Sequence, residues 1–207
     1  WGKGNGTFPQ NMYDTSVKVP MLMCRPGHLP QNVVEERLLS HYDILPTLLN
    51  YLGLANPVAD ALPGQTFAPL LNGEALTERE NVVIFDEYGP VRMIRTRAWK
   101  YVQRYPYGPN ELYDLVNDPG ETRNLIDAPE QQTRATELER ELEAWFVRYV
   151  DPNLDGTKEP VTGKGQIDLA GVLGEGRRAF DEDWWYIDED GRRREDKVWF
   201  FGKVVEF

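Results

Sequence analysis

"VRMIRTRAWKYVQRY", residues 91–105, is the stretch on which the reading of the fold turns. Two runs rich in β-branched and aromatic residues flank Thr96–Ala98, so the stretch predicts two strands joined by a turn. Upstream, "VVIF" (residues 82–85) reads as a buried strand, and downstream "ELYDL" (residues 111–115) reads as a further partner. Asn117-Asp118-Pro119-Gly120 is a strong turn signal. A helix then begins at about Pro129, with Asp127 and Glu130 at cap-like spacing. Ala135, Leu138, Leu142, Trp145 and Tyr149 recur three and four apart, a single apolar stripe suited to lie across a sheet and read as core. Strands followed by a covering helix predict a small α+β unit.

Towards the N-terminus the pattern changes. Gly2, Gly4 and Gly6 free the backbone around Lys3, so this lysine sits on a loop able to approach a ligand closely. Val19–Cys24 is an apolar run ended by Pro26-Gly27, which predicts a buried strand with Cys24 as a buried thiol. In "SHYDILPTLLNYLGL" (residues 40–54) Asp43 is a good N-cap, and Pro46 falls in the first helical turn, where its missing N–H costs nothing. Leu45, Leu48, Leu49 and Leu52 share one helical face, and Gly53 is placed to end the helix. Residues 55–73 are rich in Pro and Gly and read as a loop.

Three zones result: residues 1–80, residues 81–150 holding the sheet–helix unit, and a tail over residues 151–207. The tail is charged, then unusually aromatic, with Trp184, Trp185, Trp199, Phe200 and Phe201 suited to pack on the body or on another copy of the chain. The Arg192–Arg194 run reads as a solvated or salt-bridged turn.

Composition narrows the function classes. Hydrophobic residues make up 41% and aromatics 12% of 207 residues, enough for a packed core. A formal charge of −11 repels a phosphate backbone, so nucleic acid is a disfavoured partner. No apolar run approaches membrane-spanning length. Cys24 is the single cysteine, which excludes a disulfide scaffold. The opening at Trp1 reads like the middle of a polypeptide.

Five blocks, in order, carry a likeness: residues 1–27 ("WGKGNGTFPQNMYDTSVKVPMLMCRPG"), 38–54 ("LLSHYDILPTLLNYLGL"), 64–73 ("GQTFAPLLNG"), 92–102 ("RMIRTRAWKYV") and 111–125 ("ELYDLVNDPGETRNL"). Together they resemble the C-terminal part of a type I, arylsulfatase-like sulfatase of the alkaline-phosphatase-like superfamily. The likeness covers roughly residues 1–150. It implies an α/β fold, with residues 1–80 ending the catalytic α/β domain and residues 81–150 forming a small antiparallel sheet packed on a C-terminal helix. It also implies hydrolysis of sulfate esters. Lys3 matches the family lysine that contacts the sulfate. The chemistry agrees, since S–O cleavage develops negative charge on the leaving oxygen, which a fixed ammonium stabilises or protonates. The family's nucleophile is a formylglycine made from a Cys/Ser-x-Pro-x-Arg motif, which this chain does not contain, and its calcium ligands come from upstream loops. The chain taken alone is therefore expected to be inert. Phosphonate monoester and phosphodiester hydrolases of the same superfamily share the loop and lysine and are an alternative, as is a non-catalytic assembly module with a homo-oligomer formed through the aromatic tail.

The remaining candidates come from the residues themselves. Arg92, Arg95, Arg97 and Lys100 form a basic group, in which Arg95 and Arg97 at alternating strand positions share a face. That face either lines the rim of an anionic-substrate pocket or pairs with Asp86, Glu87 and Asp114. Asp14, in "MYDTSVKVP", falls where many relatives carry an acidic residue, and is read as steadying its loop rather than ligating metal. His28 and His41 lack partners at ligand spacing and read as structural or solvated.

Overall fold

In the computed structural model, the 91–105 stretch folds as a hairpin. Strand β2 (Val91–Arg95) pairs antiparallel with β3 (Trp99–Arg104), and Thr96 closes the turn between them. The Thr96 N–H donates to the Trp99 carbonyl at 2.8 Å, and its hydroxyl accepts the Trp99 N–H at 2.9 Å. Strand β1 (Val82–Phe85) flanks β2, and β4 (Glu111–Asp114) flanks β3, giving one antiparallel sheet in the order β1-β2-β3-β4. The structure describes residues 12–85, 91–105 and 109–154, with the backbone of strands at 197–200 and 203–206.

The register assigns every side chain to a face. Ile94 stands opposite Tyr101, and Tyr101 opposite Leu112, so these residues and Val83 share one side. Helix α4 (Gln132–Tyr149) lies across that side and buries Ala135, Leu138, Leu142 and Phe146 against it. Phe146, four residues after Leu142, continues the stripe. Trp145 is rotated to its flank, where it meets the rings of Tyr42, Phe85 and Tyr149 at 5.2–6.3 Å. The Arg92 guanidinium lies 3.6 Å from the Phe146 ring centroid. Asp127 and Glu130 do not cap this helix. A 3-10 turn at Pro129–Gln131 precedes it and carries its first turn beyond their reach, and neither N-terminus has a side-chain cap. The Gln132 amide instead donates to the Ile126 carbonyl at 2.6 Å.

The opposite side of the sheet is covered by the chain around α1 (Asp14–Val17). Met12 and Val17 pack there on Ile84, Val91, Met93 and Val102. The sheet is thus buried on both faces, between α4 and a short segment from the beginning of the chain.

Helix α2 (Ile44–Tyr51) forms where the sequence places it, but Asp43 does not cap it with its side chain, because the carboxylate accepts the Ser40 and Gln65 N–H groups instead. Gly53 takes φ +68°, a left-handed conformation favouring glycine, and lets the Leu54 N–H reach back to the Leu49 carbonyl at 2.8 Å. Thr47 is its buried residue and accepts the Phe67 N–H at 2.9 Å, just before α3 (Ala68–Leu71). The leucine face behaves differently, because Leu45, Leu48 and Leu52 are exposed. Val19–Cys24 is also exposed and forms no strand, contrary to the expectation of a buried one, and the Cys24 thiol is exposed with it. A strand needs a neighbour for its backbone N–H and C=O groups, and no described strand pairs with these residues. Gly64 marks a close approach, since a Cβ there would stand 2.1 Å from the Tyr42 carbonyl oxygen.

In the tail, β5 (Lys197–Phe200) pairs antiparallel with β6 (Lys203–Glu206). Trp184, Trp185, the Arg192–Arg194 run and the expected packing of the aromatic arm lie outside the described residues.

Leu142 is fully buried between helix and sheet, whereas Val147 on the same helix is 87% exposed. Leu142→Ala is expected to lower unfolding free energy by about 2–5 kcal/mol. Val147→Ala is expected to stay within about 0.5 kcal/mol of the unmutated protein. Urea unfolding of the two variants checks the contrast.

Candidate functional site

Lys3 lies outside the described residues, so the site is built from what surrounds the segment leading away from it. Arg95 closes β2, and Lys100 is its direct cross-strand partner. Arg97 belongs to the turn and does not share the face of Arg95, because the strand ends at Arg95 before Thr96–Ala98 reverses the chain. Arg97 is exposed and pairs with Glu78. The Arg95 guanidinium grips Asp14 with two nitrogens, Nε to Oδ1 at 3.2 Å and Nη2 to Oδ2 at 3.0 Å. Asp86 and Glu87 lie outside the described residues. The Asp114 carboxylate accepts the Val116 and Asn117 N–H groups, each at 3.1 Å, and the Asn117 amide at 2.8 Å.

Lys100 is the centre of this region. Its side chain is wholly buried, and its ammonium donates to the Asp14 carboxylate at 2.6 Å and to the Met12 carbonyl at 2.9 Å. Glu121 is its third partner. Glu121 also accepts the Asp14 N–H at 2.7 Å, so it touches both the Lys100 ammonium and the backbone of Asp14. Tyr13, between Met12 and Asp14, places its ring 6.0 Å from that of Tyr113 on β4. Burial favours the protonated form of Asp14, but the hydrogen bonds and charges of Arg95 and Lys100 outweigh it and hold the carboxyl below its ordinary value of 3.8.

A tight turn delivers Glu121. Asp118 accepts the Thr122 and Arg123 N–H groups, each at 2.8 Å, and those bonds hold its carboxyl below the usual range. Glu121 itself takes φ +54°, a strained conformation for a side-chain-bearing residue. Asn124 then ties the exit to the sheet by accepting the Leu112 N–H at 2.9 Å. Nothing in local periodicity marks Glu121. The signal available is its place directly after the Asn117–Gly120 turn, inside the 111–125 block.

A second buried carboxylate fastens the α2 region. Asp43 accepts the Ser40 N–H at 2.7 Å and the Gln65 N–H at 2.8 Å, and pairs with Arg79 at 3.0 Å. Arg79 also lies over the Tyr42 ring. His41 is exposed in the 3-10 turn His41–Asp43, and His28 is exposed in a turn near Pro26-Gly27. Among the described residues no group of three or more His, Cys, Asp or Glu is arranged to hold a metal ion. The buried carboxylates are occupied by cations and backbone N–H groups. Their chemistry is to fasten segments together.

Because the folded pKa of Asp14 is depressed, its stabilising contribution is present above the unfolded value and lost as pH falls through the folded one. The stability deficit of Asp14→Asn is therefore expected to be constant above about pH 5 and to shrink progressively below about pH 4. Chemical unfolding of both proteins across that range checks the sign.

Comparison with known proteins gives this geometry a setting. A curated Delta 4,5-hexuronate-2-O-sulfatase from Bacteroides thetaiotaomicron is 32% identical over 150 residues, covering 68% of this chain and 31% of the relative. A choline-sulfatase from Rhizobium meliloti is 31% identical over 128 residues, covering 59% of this chain and 24% of the relative. A solved 2-O GAG sulfatase matches with 34% identity and a TM-score of 0.44, over 51% of this chain and 24% of that one. The matched part of the chain thus covers 24–31% of the length of these curated relatives. The family model described as "N-sulphoglucosamine sulphohydrolase, C-terminal" matches residues 6–147, more than half of the sequence, and the chain belongs to that family of C-terminal sulfatase domains.

Proposed function

We propose that this chain is the C-terminal portion of a sulfuric ester hydrolase acting on a small-molecule sulfate ester. The observation that carries the reading is the family match over residues 6–147 in a chain that spans 31% of its sulfatase relative. The exposed apolar residues Leu22, Leu45, Leu48 and Leu52 support it, since each such side chain gains free energy when further polypeptide covers it.

In this reading the loop ammonium of Lys3 meets the negative charge that develops on the departing ester oxygen. A formylglycine would supply the nucleophile and calcium the charge that holds the sulfate, both carried by residues outside this chain. Arg97, ion-paired to Glu78 but with its side chain 60% exposed, is the better placed of the two for the rim of a substrate pocket, since the Arg95 guanidinium is committed to Asp14. The division of labour follows the zones of the sequence: residues 1–80 complete the catalytic domain, and residues 81–150 form the sheet–helix unit that holds them.

The complete polypeptide is expected to hydrolyse aryl and sugar sulfates, and the isolated 207-residue chain is expected not to. Lys3→Ala in the complete enzyme is expected to lower kcat by about 10²–10⁴-fold, most strongly for esters with poor leaving groups. Steady-state kinetics on sulfate, phosphodiester and phosphonate substrates checks this. Turnover by the isolated chain, or a preference for phosphonates, would overturn it.

A further inference from the structure

The two sides of the sheet are closed by different forces, and titratable charge matters on only one of them. On the α4 side Val83, Ile94, Leu112, Leu138 and Leu142 pack together. Tyr101 in the same cluster stays neutral at acidic pH, because burial and the nearby Glu139 push its phenol up. On the other side Met12 and Val17 supply a thin apolar layer, and the remaining hold is largely ionic. Asp14 faces Arg95 from β2 and Lys100 from β3, Glu121 faces Lys100 from the turn after β4, and Tyr113 of β4 meets Tyr13. Glu111 on β4 is taken up by Arg104 at 3.0 Å, and Lys18, just past the segment, is exposed. We propose that Met12–Val17 is an acid-released strap: protons on Asp14 and Glu121 free it from the sheet while the α4 side stays closed.

The geometry makes this segment sensitive to protons. Two cations, one of them wholly buried, are matched here by two carboxylates and the Met12 carbonyl. A proton on either carboxylate leaves excess positive charge around Lys100, and a buried cation without its counter-charge is costly until water reaches it. Lifting the strap admits that water. Against the cost of burial, Arg95 and Lys100 hold the Asp14 carboxyl below its ordinary value of 3.8. Its grip is therefore complete above that value and is lost as pH falls through the lower, folded one. Little else keeps the strap in place once the charges are unmatched. Its four-residue helix, Asp14–Val17, is far shorter than an isolated helix needs to be to persist in water. The Ser16, Val17 and Lys18 N–H groups bond to the Tyr13 and Asp14 carbonyls at 2.8–3.0 Å, so their protection reports whether the segment is docked. Release uncovers the apolar layer of Val91, Met93 and Val102.

Amide hydrogen exchange of the complete polypeptide between about pH 6 and about pH 3 tests the strap, with rates corrected for the pH dependence of free-chain exchange. The readout is exchange rather than turnover, so its outcome is independent of the sulfatase reading. The Ser16, Val17 and Lys18 amides are expected to lose at least about tenfold of their protection and to approach free-chain rates near about pH 3. The Leu138 and Leu142 amides in the middle of α4 are expected to remain protected at least about 100-fold at that pH. In Asp14→Asn, which cannot take up the proton, strap protection is expected to be lower at about pH 6 and to fall by at most about a third of the unmutated factor. If the variant does not fold, the contrast between strap and α4 in the unmutated polypeptide decides by itself. Loss of protection by strap and α4 together, or strap protection that is constant over the whole range, would overturn the proposal. An Asp14→Asn profile parallel to the unmutated one would overturn it as well.

Discussion

A wholly buried ammonium is the constraint around which the rest of this structure is arranged. Taking Lys100 out of water costs several kcal/mol even after relaxation, and only opposite charge at close range with complete hydrogen bonding offsets that cost. Three oxygens surround the ammonium: the Met12 carbonyl and the Asp14 carboxylate accept its hydrogen bonds, and the Glu121 carboxylate pairs with it as the opposite charge. They come from sequence positions far apart, 86 residues in the case of Asp14. Satisfying one side chain therefore brings the start of the described chain, the middle of the sheet and the turn after β4 to a single point.

The consequence is a sheet with two different faces. Towards α4 it is held by apolar packing, centred on Tyr101, Leu112, Leu138 and Leu142. Towards Met12–Val17 it has a thinner apolar layer of Met93 and Val102, and charge matching takes over at the Arg95–Lys100 end. The first face is tolerant, because packing accepts substitutions of similar volume. The second is specific, because a displaced carboxylate leaves a buried cation unpaired. Asp43 repeats the arrangement on a smaller scale, drawing Ser40, Gln65 and Arg79 to the beginning of α2.

Much of the first face is legible in the sequence. The alternation in residues 91–105 defines the hairpin, and the stripe through Ala135, Leu138 and Leu142 defines the covering helix. The second face is hidden for a physical reason. A lysine in a strand ordinarily marks the solvent side, and the oxygens that reverse that rule at Lys100 come from residues distant in sequence. The same limit applies to Arg97: strand alternation is a sound rule only while the strand continues, and Thr96 ends it. Val19–Cys24 carries the composition of a buried strand, yet composition does not supply the neighbour whose hydrogen bonds make a strand. Asp127 has cap-like spacing, but Pro129 begins a 3-10 turn first. For the site, the likeness to sulfatases points to Lys3, while Glu121 is marked in the sequence by no more than its place after the Asn117–Gly120 turn, and its left-handed backbone and its pairing with Lys100 belong to the three-dimensional structure.

Among the described residues, the stretch Met12–Val17 is locked to the sheet by charge as well as by apolar packing. The central claim is that Lys100 and its carboxylates act as one compensated set, and equilibrium unfolding of Lys100→Met with and without Glu121→Gln tests it most directly. The account predicts that Lys100→Met alone costs about 3–5 kcal/mol, and that adding Glu121→Gln returns at least about 1 kcal/mol by removing the stranded charge. Two losses that simply add would contradict it.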